Sequence, residues 1–534
     1  MGSNGASLKY RIASLVHSHF DALPQRCKPS IRPNGTRKWI PLSGIVLVTG
    51  ENTPEESLTC VALATGAKCL SSSQIPLCQG VVLHDSHAEV LALRAFNYWL
   101  LKECQSMLMH NYESGPCGGN GVLHQSRDDG FSTGSLFLEW RNSNAFMSHS
   151  DSWGLWPPIK IKNDVRIWMY CTCAPCGDAS MELCMAAQED PTPWAVPVPN
   201  ANATEIESGL MEKVLDGRAH FSVLGAVRRK PSRPDAQPTL SKSCSDKLAA
   251  KQVTSLLSFP ASLLIAPSPN AYLANLLLPE NEINHRACER SFGNGERGRL
   301  RQLNIQKWED GSHTDAYYAF FPFNVRSLPM DQVDNLWKFA RQTGANLRPN
   351  KVGNISAVWA ATPSFGEKPA HTSFSQGQTP LSRHASRMSL KQFPTNITET
   401  LINGVRQGYH ISSLDARKAS ALSRAKMWDL LRETIRLFPD GSDARMDALP
   451  LDENQPSGNT GVSEVETRTQ LTRLRDCVLS APTYSSMKCA AAETSLLHLR
   501  NKVLADVRRV LGNWIENRGD EQWGLIDTAH SCSC

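Results

Sequence analysis

His84-Asp-Ser-His-Ala-Glu-Val-Leu-Ala-Leu-Arg-Ala-Phe-Asn-Tyr-Trp-Leu-Leu101 is the segment on which the reading of this chain turns. Val81-Val82-Leu83 leads into it as a short apolar run. Its front is polar and titratable. Behind that, Val90, Leu93, Phe96, Asn97, Leu100 and Leu101 recur near helical spacing, with Asp85 or Ser86 placed to cap the start. A His-x-Glu at the first turn of a helix sets an imidazole, His87, and a carboxylate, Glu89, beside one point in space. That pair suits metal-assisted hydrolysis: the imidazole holds the ion, the ion acidifies water, and the free carboxylate moves the proton. In a chain of 534 residues with 15 histidines the motif also arises by chance, so its meaning depends on what else the chain supplies.

Outward from it, 44–50 (GIVLVTG) and 58–66 (LTCVALATG) are β-branched runs closed by glycine, and 165–172 (VRIWMYCT) reads the same way. Residues 175–185 (PCGDASMELCM) read as a second helix with proline at its favoured first position. That puts Cys176 in a first turn, where the helix dipole favours a thiolate. Another helix is expected over 247–258, and helical patterns resume at 417–438 and 485–517. The alternation predicts a mixed α/β layer architecture in one domain spanning 1–534, with a core from about 40 to 530. Bias toward Gly, Ser, Pro and Asp predicts mobile insertions at 105–150, 363–395 and 438–465, and a polar connection at 186–208.

Composition bounds the function classes. Apolar residues make up 41% and charged residues 20%, as in a soluble globular protein. No apolar run is long enough to span a membrane and the N-terminus lacks an apolar signal core, so neither insertion nor export is expected. The 16 cysteines are scattered, several inside apolar runs, which predicts reduced thiols in the cytoplasm or nucleus, some of them free for metal. A net charge of +5 permits nucleic-acid binding without demanding it.

A deaminase-type metal site needs one imidazole and two thiolates. The second sulfur of a Pro-Cys-x-x-Cys is missing here, because position 179 is Ala179. Cys173-Ala-Pro-Cys176 could supply both sulfurs, as in structural zinc sites. The other source is far downstream, where Ser243-Cys244-Ser245-Asp246-Lys247 opens a helix after a basic loop; the sequence favours that one. For each of Cys171, Cys173, Cys176 and Cys184 the alternative is a small buried apolar residue.

Taken in order, His87-Ala-Glu89, Pro175-Cys176-Gly177 and Ser243-Cys-Ser-Asp-Lys247 resemble the deaminase domain shared by RNA-editing and tRNA-specific adenosine deaminases, from Gly44 to about Asp520. The resemblance implies a cytidine-deaminase-like three-layer α/β core with a mixed sheet, a large C-terminal helical extension and loop insertions. It implies Zn2+ held by His87, Cys176 and Cys244, with Glu89 as proton shuttle in the conversion of adenosine to inosine. The loop Val227–Asp235 resembles the tRNA-type loop, and the helix after Lys247 is most similar to fungal members. The expected substrate is therefore the adenosine 3′ of a tRNA anticodon, with the loop cations Arg228, Arg229, Lys230 and Arg233 meeting phosphates. Lys68 is an expected nucleotide contact, in Thr65-Gly-Ala-Lys68, which departs from the family at Ala67.

The same resemblance implies a buried inositol hexakisphosphate held by Arg94, Lys247, Arg424, Lys488, Trp514 and Glu516. Leu93, Ala250-Lys251 and Asn517 depart from the family's pattern there. Other readings stay open: a deaminase of mRNA, of double-stranded RNA or of free nucleosides, or a non-catalytic RNA-binding protein whose structural zinc has four protein ligands including Cys173. Neither DNA nor a membrane is an expected partner.

Overall fold

The computed structural model describes residues 6–113, 134–141, 156–187, 215–230, 237–341, 350–364, 396–438 and 464–525, apart from short stretches within some of these ranges. Its centre is an eight-stranded mixed sheet. The strands used below are β1 (Leu42–Thr49), β2 (Ser57–Thr65), the short β3 (Ala67–Cys69) and β4 (Asp85–His87), β5 (Val165–Cys171) and β6 (Leu273–Pro279), then β7 (Asn324–Leu328), β8 (Ile355–Ala360), β9 (Ile397–Ile402) and β10 (Val405–Arg406). The sheet runs in the order β7-β6-β5-β1-β2-β8-β9-β10. Its parallel pairs are β5–β6 and β6–β7; the others are antiparallel.

Period-two alternation sorts the side chains of each strand onto two faces. In β1, Ile45 and Leu47 join one buried cluster while Val46 and Val48 join another. In β5, Ile167 and Met169 face the first cluster, and Trp168 and Tyr170 the second. Helix α1 (Leu8–Asp21) covers the second face with Ile12, Val16 and Phe20. Helix α2 (Ala88–Glu113) covers the first with Leu91, Phe96, Trp99 and Leu100. Helix–sheet–helix is the expected three-layer arrangement. Both faces are buried because both carry apolar side chains, which is why the strands read as near-continuous apolar runs.

Three further helices build the site: α3 (Met181–Ala186), α4 (Cys244–Thr254) and α5 (His285–Phe292). A C-terminal group follows: α6 (Arg424–Ile435), α7 (Glu464–Ser480), α8 (Tyr484–Ala491) and α9 (Ser495–Leu511). No helix among the described residues is long and apolar enough to cross a membrane.

Two expectations are corrected. The insertion expected from position 105 begins later: α2 continues to Glu113, and Gln105, Met107 and Leu108 are buried. The apolar face of that helix simply outlasts the polar composition that suggested a loop. The helix expected at 175–185 starts only at Met181, after a 3-10 turn at Asp178–Ser180. Gly177, at φ 101°, breaks the chain direction between Cys176 and that helix. Residues 114–133, 142–155, 188–208, 365–395 and 439–463 lie outside the described residues.

Candidate metal centre and active site

Strand β4 delivers His87 and α2 delivers Glu89 one residue into its first turn. The approach is tight. β3 pairs with β4, Ala67 opposite His87 and Lys68 opposite Ser86. A Cβ on Gly66 would meet the Ser86 carbonyl at 1.9 Å, so only glycine lets the two segments pass. Cys176 comes from the loop after β5. Cys244 is the first residue of α4, whose N-cap Ser243 accepts from the Asp246 N–H. The first-turn thiol is therefore Cys244 rather than Cys176, although burial and the adjacent Cys176 push the Cys244 pKa up.

The three converge. His87 Nδ1 lies 3.7 Å from Cys176 Sγ and 3.6 Å from Cys244 Sγ. All three ligand atoms lie within 4.8 Å of one another. Tetrahedral zinc, at about 2.3 Å from sulfur and 2.0 Å from nitrogen, would separate N and S ligands by about 3.6 Å. The donor set and its spacing therefore fit zinc. Charge agrees: burial disfavours a charged imidazole, yet the Cys176 sulfur beside it draws the His87 pKa up to about 10. A hydrogen bond from Cys244 holds the Cys176 thiol far below its ordinary range, against the opposite pull of burial. An anionic sulfur facing an imidazole is a place that wants a cation.

Glu89 is buried, which pushes its carboxyl up, and its Oε2 has no hydrogen-bond partner. Cys173 does not belong to the three-residue group; its thiol lies near Thr172 and Glu282 and is pushed up by burial. Pairing by Cys173-Ala-Pro-Cys176 is thus not assembled among the described residues. Cys78, His84 and Asp520 also cluster within 4.8 Å, but Asp520 already accepts from Gly80 N at 2.7 Å, His84 Nε2 at 2.9 Å and Arg424 Nη1 at 3.3 Å. The guanidinium of Arg424 supplies the cation there. Asn517 Nδ2 lies 2.9 Å from His84 Nδ1, so the C-terminal segment holds both ring nitrogens of the residue that begins the His87 approach.

The basic loop is largely interior. Arg228 is 1% exposed, and its guanidinium donates to the carbonyls of Gly217 and Val223 rather than facing solvent, so no phosphate reaches it in this conformation. Lys230 is buried too. Its ammonium lies 2.9 Å from Asp85 Oδ2 and 3.2 Å from Cys244 Sγ. Arg229 forks onto Asp216 at 2.7 and 2.9 Å. Arg233 is outside the described residues, and Lys68 is exposed.

A second cluster gathers most of the residues expected around a polyphosphate. The Arg94 guanidinium donates to Leu422 O and its pKa falls to about 10 through burial and then Arg424. Lys247 meets Asp85. Lys488 is exposed, and desolvation, then Arg424, Arg500 and Arg508, lower its pKa. Trp514 lies under the Lys242 ammonium at 5.3 Å, and Glu516 pairs with Arg508 and Arg518. Arg500 is a residue that sequence reasoning left out of this group, and Lys251 entered it only as a departure from the family's pattern. Burial and the adjacent Arg500 push Lys251 down to about 7. Leu93 and Ala250 are buried apolar residues, and Asn517 serves His84.

Fold and site together define a class: a layered mixed-sheet domain presenting one imidazole, two thiolates and a spare carboxylate at one point. The chain matches the adenosine-deaminase (editase) domain over residues 62–131 and 139–517, and it belongs to that family. It is similar to tRNA-specific adenosine deaminase 1 of Schizosaccharomyces pombe, 37% identical over 315 residues, 59% of this chain and 66% of that protein. Its similarity to tRNA-specific adenosine deaminase 1 of Saccharomyces cerevisiae is 30% over 247 residues, 46% of this chain and 53% of that one. Double-stranded RNA-specific editase Adar of Drosophila melanogaster is 26% identical over 247 residues, 45% of this chain and 30% of that one. The chain thus spans between about half and two thirds of the length of the tRNA-specific relatives from the two yeasts.

Proposed function

We propose that this protein hydrolyses adenosine to inosine in tRNA, at the adenosine immediately 3′ of the anticodon. The observation that carries the chemistry is the convergence of His87, Cys176 and Cys244 beside a buried Glu89 oxygen that has no partner. Zinc held by those three would supply the Lewis acidity that makes water a nucleophile near neutral pH. The work of Glu89 follows from its place and its raised pKa. Its carboxylate takes a proton from the attacking water and passes it to N1 of adenine as oxygen adds to C6. The same proton carrier then serves the amino group, which leaves as ammonia while the C6 oxygen becomes the inosine carbonyl.

The names of the two yeast relatives favour tRNA over the double-stranded RNA of the fly editase, at higher identity and greater coverage. An anticodon loop already presents unstacked bases, so delivering one costs less than from a duplex. Among the basic-loop residues Arg229 and Arg233, and outside it Lys68, remain the phosphate or ribose contacts in this reading. The concentration of cations around buried Arg500, with Arg94, Lys251 and Arg424 half-buried and Lys488 exposed beside them, supports a resident polyphosphate such as inositol hexakisphosphate.

The test is sequencing of unmodified tRNA transcripts after incubation with purified protein. Wild type should place inosine beside the anticodon. Glu89→Gln should lose about 10²- to 10⁴-fold in rate while still holding one zinc. Unchanged tRNA beside zinc-loaded, RNA-binding wild type would defeat the catalytic reading and favour the scaffold alternative.

A further inference from the structure

Each of the three converging residues has an aspartate two positions away: Asp85 before His87, Asp178 after Cys176, Asp246 after Cys244. The two that follow the cysteines have fully buried side chains. A buried carboxylate beside a sulfur that must carry negative charge is unfavourable unless neutralised. Both are neutralised from one place. Arg290, on α5, forks onto Asp178 with Nε 3.0 Å from each carboxylate oxygen, and its Nη1 reaches Glu182 Oε1 at 2.6 Å. Arg299, on the loop after α5, places Nη1 2.6 Å from Asp246 Oδ1. The two arginines are tied together, the Arg299 N–H donating to the Arg290 carbonyl at 3.0 Å.

The aspartates in turn fix the backbone around the sulfurs. Asp178 accepts from Gly225 N at 2.7 Å and Ser291 Oγ at 2.8 Å, and Asp246 from Arg228 N at 2.9 Å. The two cysteine segments also bond directly, Ser245 N to Cys176 O at 3.0 Å and Cys244 N to Cys176 Sγ at 3.3 Å. A Cβ on Gly177 would sit 2.2 Å from Ser243 Oγ, so the segments are in contact with no slack. Movement of either aspartate therefore moves a sulfur.

We propose that Arg290 and Arg299 are positioning residues for the thiolate pair, acting through Asp178 and Asp246, so that the segment 285–299 sets the metal geometry without touching the metal. The inference rests on the reading of His87, Cys176 and Cys244 as the metal ligands. Its test uses the full-length chain, loaded with Co2+ for the visible spectrum and with Zn2+ for competition against a chromophoric chelator. Arg299→Met should weaken Zn2+ by about 10- to 100-fold and shift the Co2+ ligand-field bands. Adding Asp246→Asn to it removes the stranded charge and should restore most of the affinity.

Unchanged affinity and an unchanged Co2+ spectrum in Arg299→Met, even at a lower melting temperature, would reduce the arginine to a fold-stabilising role and overturn the proposal. So would a double variant no better than the single. Should Arg299→Met fail to fold, Arg299→Lys keeps the charge without the guanidinium's second contact, from Nε to Ser291 O at 3.4 Å; an intermediate spectral shift supports the proposal, and a wild-type spectrum overturns it. Wild type that takes up no Co2+ overturns the ligand assignment itself, before any variant is made.

Discussion

The two polar clusters of this domain handle buried charge in opposite ways. Around the sulfurs each buried aspartate has its own cation: Asp85 with Lys230 and Lys247, Asp178 with Arg290, Asp246 with Arg299. Around Arg94, Lys251, Arg424, Lys488 and Arg500 the cations mostly face one another, and Asp520 and Glu516 offset few of them. Since an uncompensated charge in low dielectric is costly, the aspartates of the first cluster are neutralised by the chain itself, and the second cluster is where an added anion would relieve repulsion. The chain pairs its own carboxylates at the first cluster and, in the proposed reading, leaves the second to a ligand.

The largest effect should separate the two. Cys244→Ala is expected to abolish stoichiometric zinc and to cut deamination at least ~10³-fold, since a lost Lewis acid is worth several kcal/mol. Lys488→Met should leave zinc content, measured by metal analysis, at wild-type level. If both variants lost zinc alike, the clusters would be one unit and the contrast would fail. Next in size is the anion. Protein stripped of bound polyanion and then given inositol hexakisphosphate should gain about 4 kcal/mol of stability at 1,000 times Kd, read as a higher melting temperature. No gain would mean the second cluster is satisfied already.

A third prediction concerns pH. The folded pKa of Lys251, about 7, lies below its ordinary value of 10.5, so between those pH values the unfolded chain binds the extra proton. Stability of the anion-free protein should therefore rise with pH across that window, on the order of 2 kcal/mol by pH 9. It should be lowest below pH 7, where the buried ammonium is charged in both states. With the anion bound the lysine stays charged and the rise should vanish. The smallest effect is a change of sign: Lys251→Met should stabilise the stripped protein by about 1 kcal/mol and weaken the loaded one by a similar amount. Equal shifts in both states would show that Lys251 does not face the anion.

Local chemistry was legible in the sequence where the spacing itself is the signal. His87 and Glu89 are two residues apart, and the strands around them are plain apolar runs. What stayed hidden depends on partners far along the chain. Arg228 and Lys230 read as solvent-facing cations of a loop; their burial follows from Gly217, Val223 and Asp85, which no short window contains. Cys176 read as the opening of a helix because a proline precedes it, and only the positive φ of Gly177 undoes that. Arg500 sits on α9, where helical spacing makes a cation look like surface; it is 9% exposed because α9 packs over β-structure and α4. Asp178 and Asp246 had a usable signal, an acid two residues after each cysteine ligand, but a first-turn acid also has the commonplace reading of a helix-dipole partner.

The clasp of Asp520 and Asn517 on His84 has a consequence for how the molecule comes into being. The hydrogen bonds joining these residues span more than four hundred positions of chain. A ribosome making this protein releases the segment that presents His87 more than four hundred residues before those that hold it in place. Until then the half-built chain carries its reactive motif with one side unfastened. Full assembly of the site thus waits for residues 517–520 rather than following the appearance of the motif itself.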